Sequence, residues 1–179
     1  CGMGNPTNVP TELAQLWHDR LGLDVFIETG TYKAWTTVWA AQRFGRVFTI
    51  EAHKPYWERA TNAWGHLKNV TFLLGDSRVV LNQVFGVIDK PAVILLDAHW
   101  IGNAETALSI PGGECPLVEE LEAINADGRD HYLLIHDARL FTGKPDKPHK
   151  PSEWPTWERV RSLLGRRCVE IFQDTIIAT

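Results

Sequence analysis

Residues 24–32 read Asp24-Val25-Phe26-Ile27-Glu28-Thr29-Gly30-Thr31-Tyr32. A helical pattern follows over Ala34–Phe44, ending near Gly45, and then comes Arg46-Val47-Phe48-Thr49-Ile50-Glu51. An apolar strand runs into an acid-x-Gly turn, a helix follows, and a second strand ends in another acid. That is half of a nucleotide-binding α/β fold, with both carboxylates delivered to the same edge of the sheet. In open parallel sheets, ligands sit outside the carboxyl ends of the strands, where the strand order reverses. An acid about 20 residues after the first turn is placed to accept hydrogen bonds from ribose hydroxyls. The segment therefore predicts an adenosine-containing cofactor.

On either side the alternation continues. Thr11–Leu21 reads as a helix opened by Pro10 and Thr11. Asp24–Glu28 and Arg46–Glu51 are the first two strands, and Lys54–Trp64 is a helix stopped near Gly65. Val70–Leu74 is a third strand, closed by Gly75-Asp76-Ser77, with Ser77 expected to cap a helix over Arg78–Phe85. Pro91–Asp97 contains the continuous apolar run Ala92–Leu96, the pattern of a central parallel strand covered on both faces. Residues 98–113 read as a long loop, Pro116–Asn125 as a helix and His131–His136 as a fifth strand. Recurrent prolines keep residues 141–152 out of helix and central strand. Trp154–Leu164 is then a helix, and Cys168–Thr179, turning at Gln173-Asp174, a terminal hairpin.

The 179 residues are expected to form one domain, with residues 1–10 flexible or appended and Cys1–Asn5 set aside from fold reasoning. A net charge of −4 argues against nucleic acid or an anionic membrane surface as partner. No apolar run is long enough to span a bilayer. Three scattered cysteines make neither a disulfide framework nor a zinc knuckle, so free thiols in a reducing cytoplasm are expected. The eight tryptophans should anchor core or interfaces. Those near the N-terminal helix and in Trp154-Pro155-Thr156-Trp157 are candidates for a homo-oligomer contact.

Strand four ends Leu96-Asp97-Ala98-His99-Trp100 and strand five ends Ile135-His136-Asp137-Ala138-Arg139. As neighbours, these strands would bring Asp97 and Asp137 to one crevice with His99 and His136 nearby. Two carboxylates plus imidazole suit an octahedral divalent ion such as Mg²⁺ or Mn²⁺. His136, still in the strand pattern, is expected to point into the core, whereas His99 lies on a loop, where polar side chains carry function. Glu114 either caps a helix or brings a third carboxylate or a substrate contact to the crevice. Cys115 has no paired base and is not expected to be a nucleophile. Arg139 orients an acidic substrate or pairs with a neighbouring carboxylate. Lys144, Lys147, His149 and Lys150 make the second long loop basic, a hint of an anionic substrate beside the plain reading of a solvated loop.

Five β-α units completed by a hairpin, with the Glu28-Thr29-Gly30-Thr31 turn, resemble the class I S-adenosylmethionine (SAM)-dependent methyltransferases over residues 11–179. The resemblance implies a Rossmann-like α/β three-layer sandwich: a mostly parallel seven-stranded sheet ending in an antiparallel C-terminal hairpin. It implies SAM as cofactor, held by Glu28, Thr29, Gly30, Thr31, Glu51, Asp76, Ser77 and Asp97. Glu28 would lie near the methionine amino group or organise the turn, Gly30 would let the backbone approach the cofactor, and Glu51 would take the ribose. Asp76 with Ser77 would take the adenine amino group, although Gly-Asp-Ser is also a good turn and helix cap. Ala52, His53 and Trp57 are candidates to flank the adenine.

The strand-four and strand-five acids look like those of metal-dependent O-methyltransferases of the catechol and sugar-modifying kinds. That implies Asp97, His99 and Asp137 as metal ligands, and Asp97 and His99 as catalytic residues acting on a small-molecule hydroxyl. Two other readings share the topology. A nicotinamide-dependent oxidoreductase needs pyrophosphate glycines, where this chain has Tyr32 and Ala34. A non-catalytic SAM- or nucleotide-binding module leaves the Asp97, His99 and Asp137 cluster without a use.

Overall fold

The computed structural model describes residues 9–100 and 112–179. The expected loop at 98–113 therefore lies mostly outside the described residues, as do Cys1–Asn5. Helix α1 (Thr11–Leu21) leads into β1 (Val25–Thr29), α2 (Trp35–Ala41), β2 (Arg46–Glu51), α3 (Lys54–Trp64), β3 (Val70–Leu74), α4 (Ser77–Phe85) and β4 (Val93–Leu96). Then come α5 (Leu117–Asp127), β5 (Tyr132–His136), α6 (Arg139–Thr142), α7 (Trp157–Leu164), β6 (Val169–Phe172) and β7 (Thr175–Ala178).

The seven strands form one sheet in the order β3-β2-β1-β4-β5-β7-β6. β1 to β5 pair in parallel, and β7 inserts antiparallel between β5 and β6. Strand order reverses between β1 and β4, so a crevice opens beyond their carboxyl ends, as the geometry of open α/β sheets requires. The seven-stranded, mostly parallel sheet expected from the sequence is the one observed.

The central strands are apolar on both sides because both sides are covered. Every residue of β1 and β4 is buried. Phe26, Val47, Val93, Leu95 and Leu134 pack with Trp17, Ala40 and Phe44 on one face. On the other, Ile27, Ile50, Ile94, Leu133 and Ile135 pack with Leu81, Leu121, Ile124, Val160 and Leu164 from α4, α5 and α7. Each such fully buried aliphatic side chain contributes about 1.5–3 kcal/mol. This rigid platform fixes the positions of the residues at the strand ends.

Several boundaries differ from expectation for identifiable reasons. Ser77 does not cap α4; the Asp76 carboxylate does, accepting the Arg78 N–H at 3.0 Å. Helix α2 ends at Ala41, and Phe44 turns inward to pack on Phe26 at 5.1 Å. Helix α7 begins at Trp157 rather than Trp154, because Pro155 disfavours helical backbone before it and Thr156 supplies the cap. The proline-rich segment after β5 contains short helix α6 and a 3₁₀ turn at Pro151–Glu153. In the terminal hairpin, Gln173 and Asp174 both take left-handed backbone, the requirement of a two-residue type I′ turn.

The tryptophans expected at an interface are mainly internal: Trp17 and Trp154 are buried, and Trp157 packs against the core. Among the described residues, no helix is long and apolar enough to cross a membrane.

Candidate functional site at the sheet switch point

The crevice over β1 and β4 is lined by Gly30, Tyr32, Ile50, Glu51, Ala52, His53, Tyr56, Gly75, Asp76, Ser77, Asp97, Ala98, His99, Trp100 and Pro116. It divides into a half over β1–β3 and a half over β4–β5.

In the first half the turn after β1 is held from below. Glu28 is buried and its Oε2 accepts from the hydroxyls of Thr37 and Thr49, the latter at 2.8 Å. The Thr31 and Thr49 hydroxyls are 2.6 Å apart. Burial pushes the Glu28 carboxyl up to about 8, against the opposing pull of the two threonine hydroxyls. Glu28 is thus a neutral acid inside the fold at neutral pH. Glu28, Thr29 and Thr31 are buried and do not line the crevice, and Glu28 organises the turn, one of the two places expected for it.

Gly30 has a second role besides the one expected. At φ +89°, a Cβ on it would lie 2.2 Å from the Asp97 carbonyl oxygen. The glycine lets the β1 and β4 ends close on each other, besides lining the crevice.

Glu51 ends β2 and faces the crevice. Its two carboxylate oxygens accept the Tyr32 N–H at 2.9 Å and the His53 N–H at 2.8 Å. Burial raises its pKa, and these backbone bonds oppose the rise. The carboxylate is therefore oriented, and each oxygen keeps accepting capacity for a ligand hydroxyl. Asp76 and Ser77 stand beyond β3 on the same wall, Asp76 serving as helix cap as well.

Tyr32 and Tyr56 are lining residues that the sequence reading missed. Their rings meet at 5.0 Å, and His53 meets Tyr56 at 4.7 Å. Trp57 was the expected aromatic, but it is absent from the lining. One residue along a helix turns a side chain by about 100°, and Tyr56 occupies the inward position. The available signal was an aromatic in the first turn of the helix after β2.

In the second half, β4 and β5 run in register with Leu96 beside Ile135, which sets Asp97 and Asp137 together. His99 Nε2 lies 3.0 Å from Asp137 Oδ2 and 3.4 Å from Asp97 Oδ1. His136 Nδ1 lies 3.3 Å from Asp97 Oδ1 and 3.5 Å from Asp137 Oδ1. The expectation that His136 turns into the core is overturned: it joins the carboxylates. Asp137 holds left-handed backbone at φ 56°, uncommon for a residue with a side chain and a strain concentrated at functional sites. The hairpin turn braces it, since Asp174 accepts the Ala138 and Arg139 N–H groups. Arg139 pairs with Asp137 at 2.5 Å and with Asp174.

Burial works against charge on both histidines, yet the facing carboxylates of Asp137 and Asp97 raise the pKa of His99, and chiefly Asp97 that of His136. Burial would raise Asp137, but its His99, His136 and Arg139 neighbours drive it well below the usual carboxylate range.

One ligand atom from each of Asp97, His99 and Asp137 fits within 4.8 Å of the others. His99 Nδ1 lies 3.2 Å from the Trp100 carbonyl, which can only accept, so Nδ1 is the protonated nitrogen. In the neutral imidazole Nε2 then carries the lone pair, and in the protonated one Nε2–H faces Asp137 Oδ2 at 3.0 Å. Nε2 is buried, and the groups that face it are the Asp137 and Asp97 carboxylates. An oriented lone pair beside two carboxylates fits a divalent cation of the Mg²⁺ or Mn²⁺ class.

The remaining candidates take structural places. Glu114 joins neither the metal cluster nor the cap of α5; its Oε2 accepts the Trp154 indole N–H at 2.8 Å and the Lys150 N–H at 2.9 Å. Burial pushes the Cys115 thiol up to about 12, which agrees with its exclusion as a nucleophile. In the basic loop, Lys150 pairs with Glu153 at 3.1 Å and His149 turns inward toward Glu114. A buried acid that sequence reading missed, Glu120, lies against the Ser77 and Thr29 hydroxyls, and burial pushes it up to about 7.

No family model matches the chain, and no curated protein does. Solved structures do. An O-methyltransferase from Bacillus cereus in complex with S-adenosylhomocysteine (SAH) aligns with a TM-score of 0.64 at 18% identity, covering 94% of this chain and 80% of that one. The O-methyltransferase TomG from Streptomyces achromogenes, involved in tomaymycin synthesis and in complex with SAM, gives 0.63 at 16% identity, covering 99% and 80%. The SAH-bound methyltransferase PaMTH1 from Podospora anserina gives 0.61 at 13% identity, covering 93% and 75%. At such identities the likeness speaks for backbone architecture. The strand order, the antiparallel β7 and the crevice at the β1/β4 switch together establish that this chain has the fold of the class I SAM-dependent methyltransferases.

Proposed function

We propose that this chain is a SAM-dependent methyltransferase that methylates a hydroxyl of a small molecule, aided by Mg²⁺ or Mn²⁺ at Asp97, His99 and Asp137. The observation that carries the reading is the meeting, in one crevice, of an oriented Glu51 carboxylate with Asp97 and His99, which cluster with Asp137. Solved proteins of the same fold with SAM or SAH bound support the cofactor. The net charge of −4 favours a small acceptor over a phosphate backbone.

In this reading Glu51 accepts the ribose hydroxyls, Asp76 and Ser77 take the adenine edge, and Tyr32, His53 and Tyr56 wall the cofactor. Asp97 stands at the junction, beside Gly30 and the cluster. A bound divalent ion supplies Lewis acidity that lowers the pKa of an acceptor hydroxyl. SAM, once bound, would supply a sulfonium methyl for in-line transfer to the acceptor oxygen, with S-adenosylhomocysteine as the leaving group. His136, beside Asp97, is placed to hold the proton released from the acceptor. Most of the protein's contribution is proximity and orientation.

The test is thermal unfolding with S-adenosylhomocysteine, with and without Mn²⁺ or EDTA. A ligand at 100 times its Kd stabilises the native state by about 2.7 kcal/mol. The expected result is a rise in Tm that Glu51→Ala reduces or abolishes, and a further Mn²⁺-dependent rise. Loss of one or two charge-assisted hydrogen bonds should weaken binding about 10-fold or more. No rise in wild-type protein under any of these conditions overturns the assignment.

A further inference from the structure

Glu114 is buried between the two chain segments that rise beyond β4 and β5, and the proposed reaction leaves it without a task. Its contacts run in two directions. Its own carbonyl accepts the Trp100 N–H at 2.8 Å, and its N–H donates to Glu153 Oε2 at 3.1 Å. Its carboxylate accepts the Trp154 indole N–H and the Lys150 N–H. One residue thus ties the segment after β4 to the segment 150–154.

Both tied groups touch His99. The Trp100 carbonyl receives its Nδ1–H, and the Trp154 ring lies against its imidazole with centroids 5.2 Å apart. Trp154 is itself wedged by Phe141 at 5.5 Å and His149 at 5.0 Å. The Trp100 carbonyl selects the tautomer, and the indole sets the plane of the ring. Together they point the lone pair of Nε2 at Asp97 and Asp137. Partners of this kind govern how a ligating histidine presents itself to a metal.

We infer that Glu114 is a positioning residue: it clamps the Trp100 peptide and the Trp154 indole on either side of His99, and so orients the proposed metal ligand. The inference rests on the metal reading above only for its consequence; the clamp itself acts on His99 whether or not an ion is bound.

The experiment uses the full chain as wild type, Glu114→Gln, Glu114→Ala and Trp154→Phe. Histidine ring resonances are recorded by ¹H–¹⁵N NMR in EDTA, and Mn²⁺ and S-adenosylhomocysteine are then titrated separately. In Glu114→Ala, the His99 resonances should move as the Trp154 indole loses its acceptor. The backbone bond from the Trp100 N–H to the carbonyl of residue 114 stays and keeps the single tautomer. Glu114→Gln should keep the wild-type His99 resonances, since its amide oxygen still accepts from Trp154 and Lys150. Mn²⁺ binding should weaken about 10-fold in the alanine variant, with S-adenosylhomocysteine affinity unchanged in all.

A folded Glu114→Ala protein with wild-type His99 resonances overturns the inference, and so does an equal change in the glutamine and alanine variants. Should Glu114→Ala fail to fold, Trp154→Phe keeps a ring and removes the N–H. Moved His99 resonances then support the clamp, and unmoved ones overturn it. If wild-type protein binds no Mn²⁺, the metal reading fails while the histidine spectra still decide the clamp.

Discussion

At the ends of β1 and β2 the crevice carboxylate, Glu51, is held by two backbone N–H groups. At the ends of β4 and β5, Asp97, Asp137, His99 and His136 are held chiefly by one another and by Arg139. The first arrangement is a fixed acceptor for neutral donors, and it needs no compensating charge. The second concentrates opposite charges in partly buried space, where removing one leaves its partners uncompensated. In the proposed reading, a crevice that receives an uncharged sugar at one end and a cation at the other needs both designs. The difference predicts that the halves fail separately when a side chain is changed and together when the shared backbone is disturbed.

The largest effect should come from Asp137→Asn, which removes charge while keeping a residue that tolerates left-handed backbone. Mn²⁺ affinity and methyl transfer should fall at least 100-fold, beyond the roughly 10–100-fold typical of outer partners. S-adenosylhomocysteine affinity, read by calorimetry on the same sample, should stay within about twofold, since the proposed cofactor contacts rest on other residues. Parallel loss of both would break the two-half description.

Gly30→Ala tests the opposite case. Its Cβ would meet the Asp97 carbonyl from a left-handed backbone, so the β1 and β4 ends must separate. Denaturant titration should show a loss of about 1–3 kcal/mol, with both Mn²⁺ and cofactor binding weakened. Selective loss of one ligand would show that Gly30 serves a single half.

The smallest effect sharpens the contrast through pH. Glu28 titrates near 8 in the folded protein and near 4.5 in the reference state, so between these values the folded protein carries the extra proton. Stability therefore falls as pH rises across that window, by up to about 1.4 kcal/mol per unit. In metal-free protein His99 and His136 slope the same way: their contribution is full below about 6.5 and lost as pH rises through their folded values. Glu28→Gln should flatten the stability profile between pH 5 and 8 without touching Mn²⁺ affinity. An unchanged slope would show that Glu28 is ionised in the fold.

Legibility from sequence followed the range of the forces involved. Strand and helix succession was readable because burial on one or both faces imprints a local period. Glu51, Asp97 and Asp137 were readable because a residue just past an apolar strand lies at the sheet edge whatever the rest does. His136 was misplaced for a related reason: strand periodicity predicted an inward side chain, but it is the last strand residue, and Asp97 from the neighbouring strand draws it. Glu114 looked like a cap or a ligand because its true partner, Trp154, is 40 residues away.

The sequence by itself determined the order of elements, the tight turn at Gly30 and the acids at the strand ends, since each follows from near neighbours in the chain. Only the tertiary structure decided that Glu28 is sealed beneath the crevice, that Tyr56 rather than Trp57 faces it, and that Glu114 anchors two loops. Burial, ring orientation and charge pairing are sums over segments far apart in sequence, and they acquire values only once the sheet has brought those segments together.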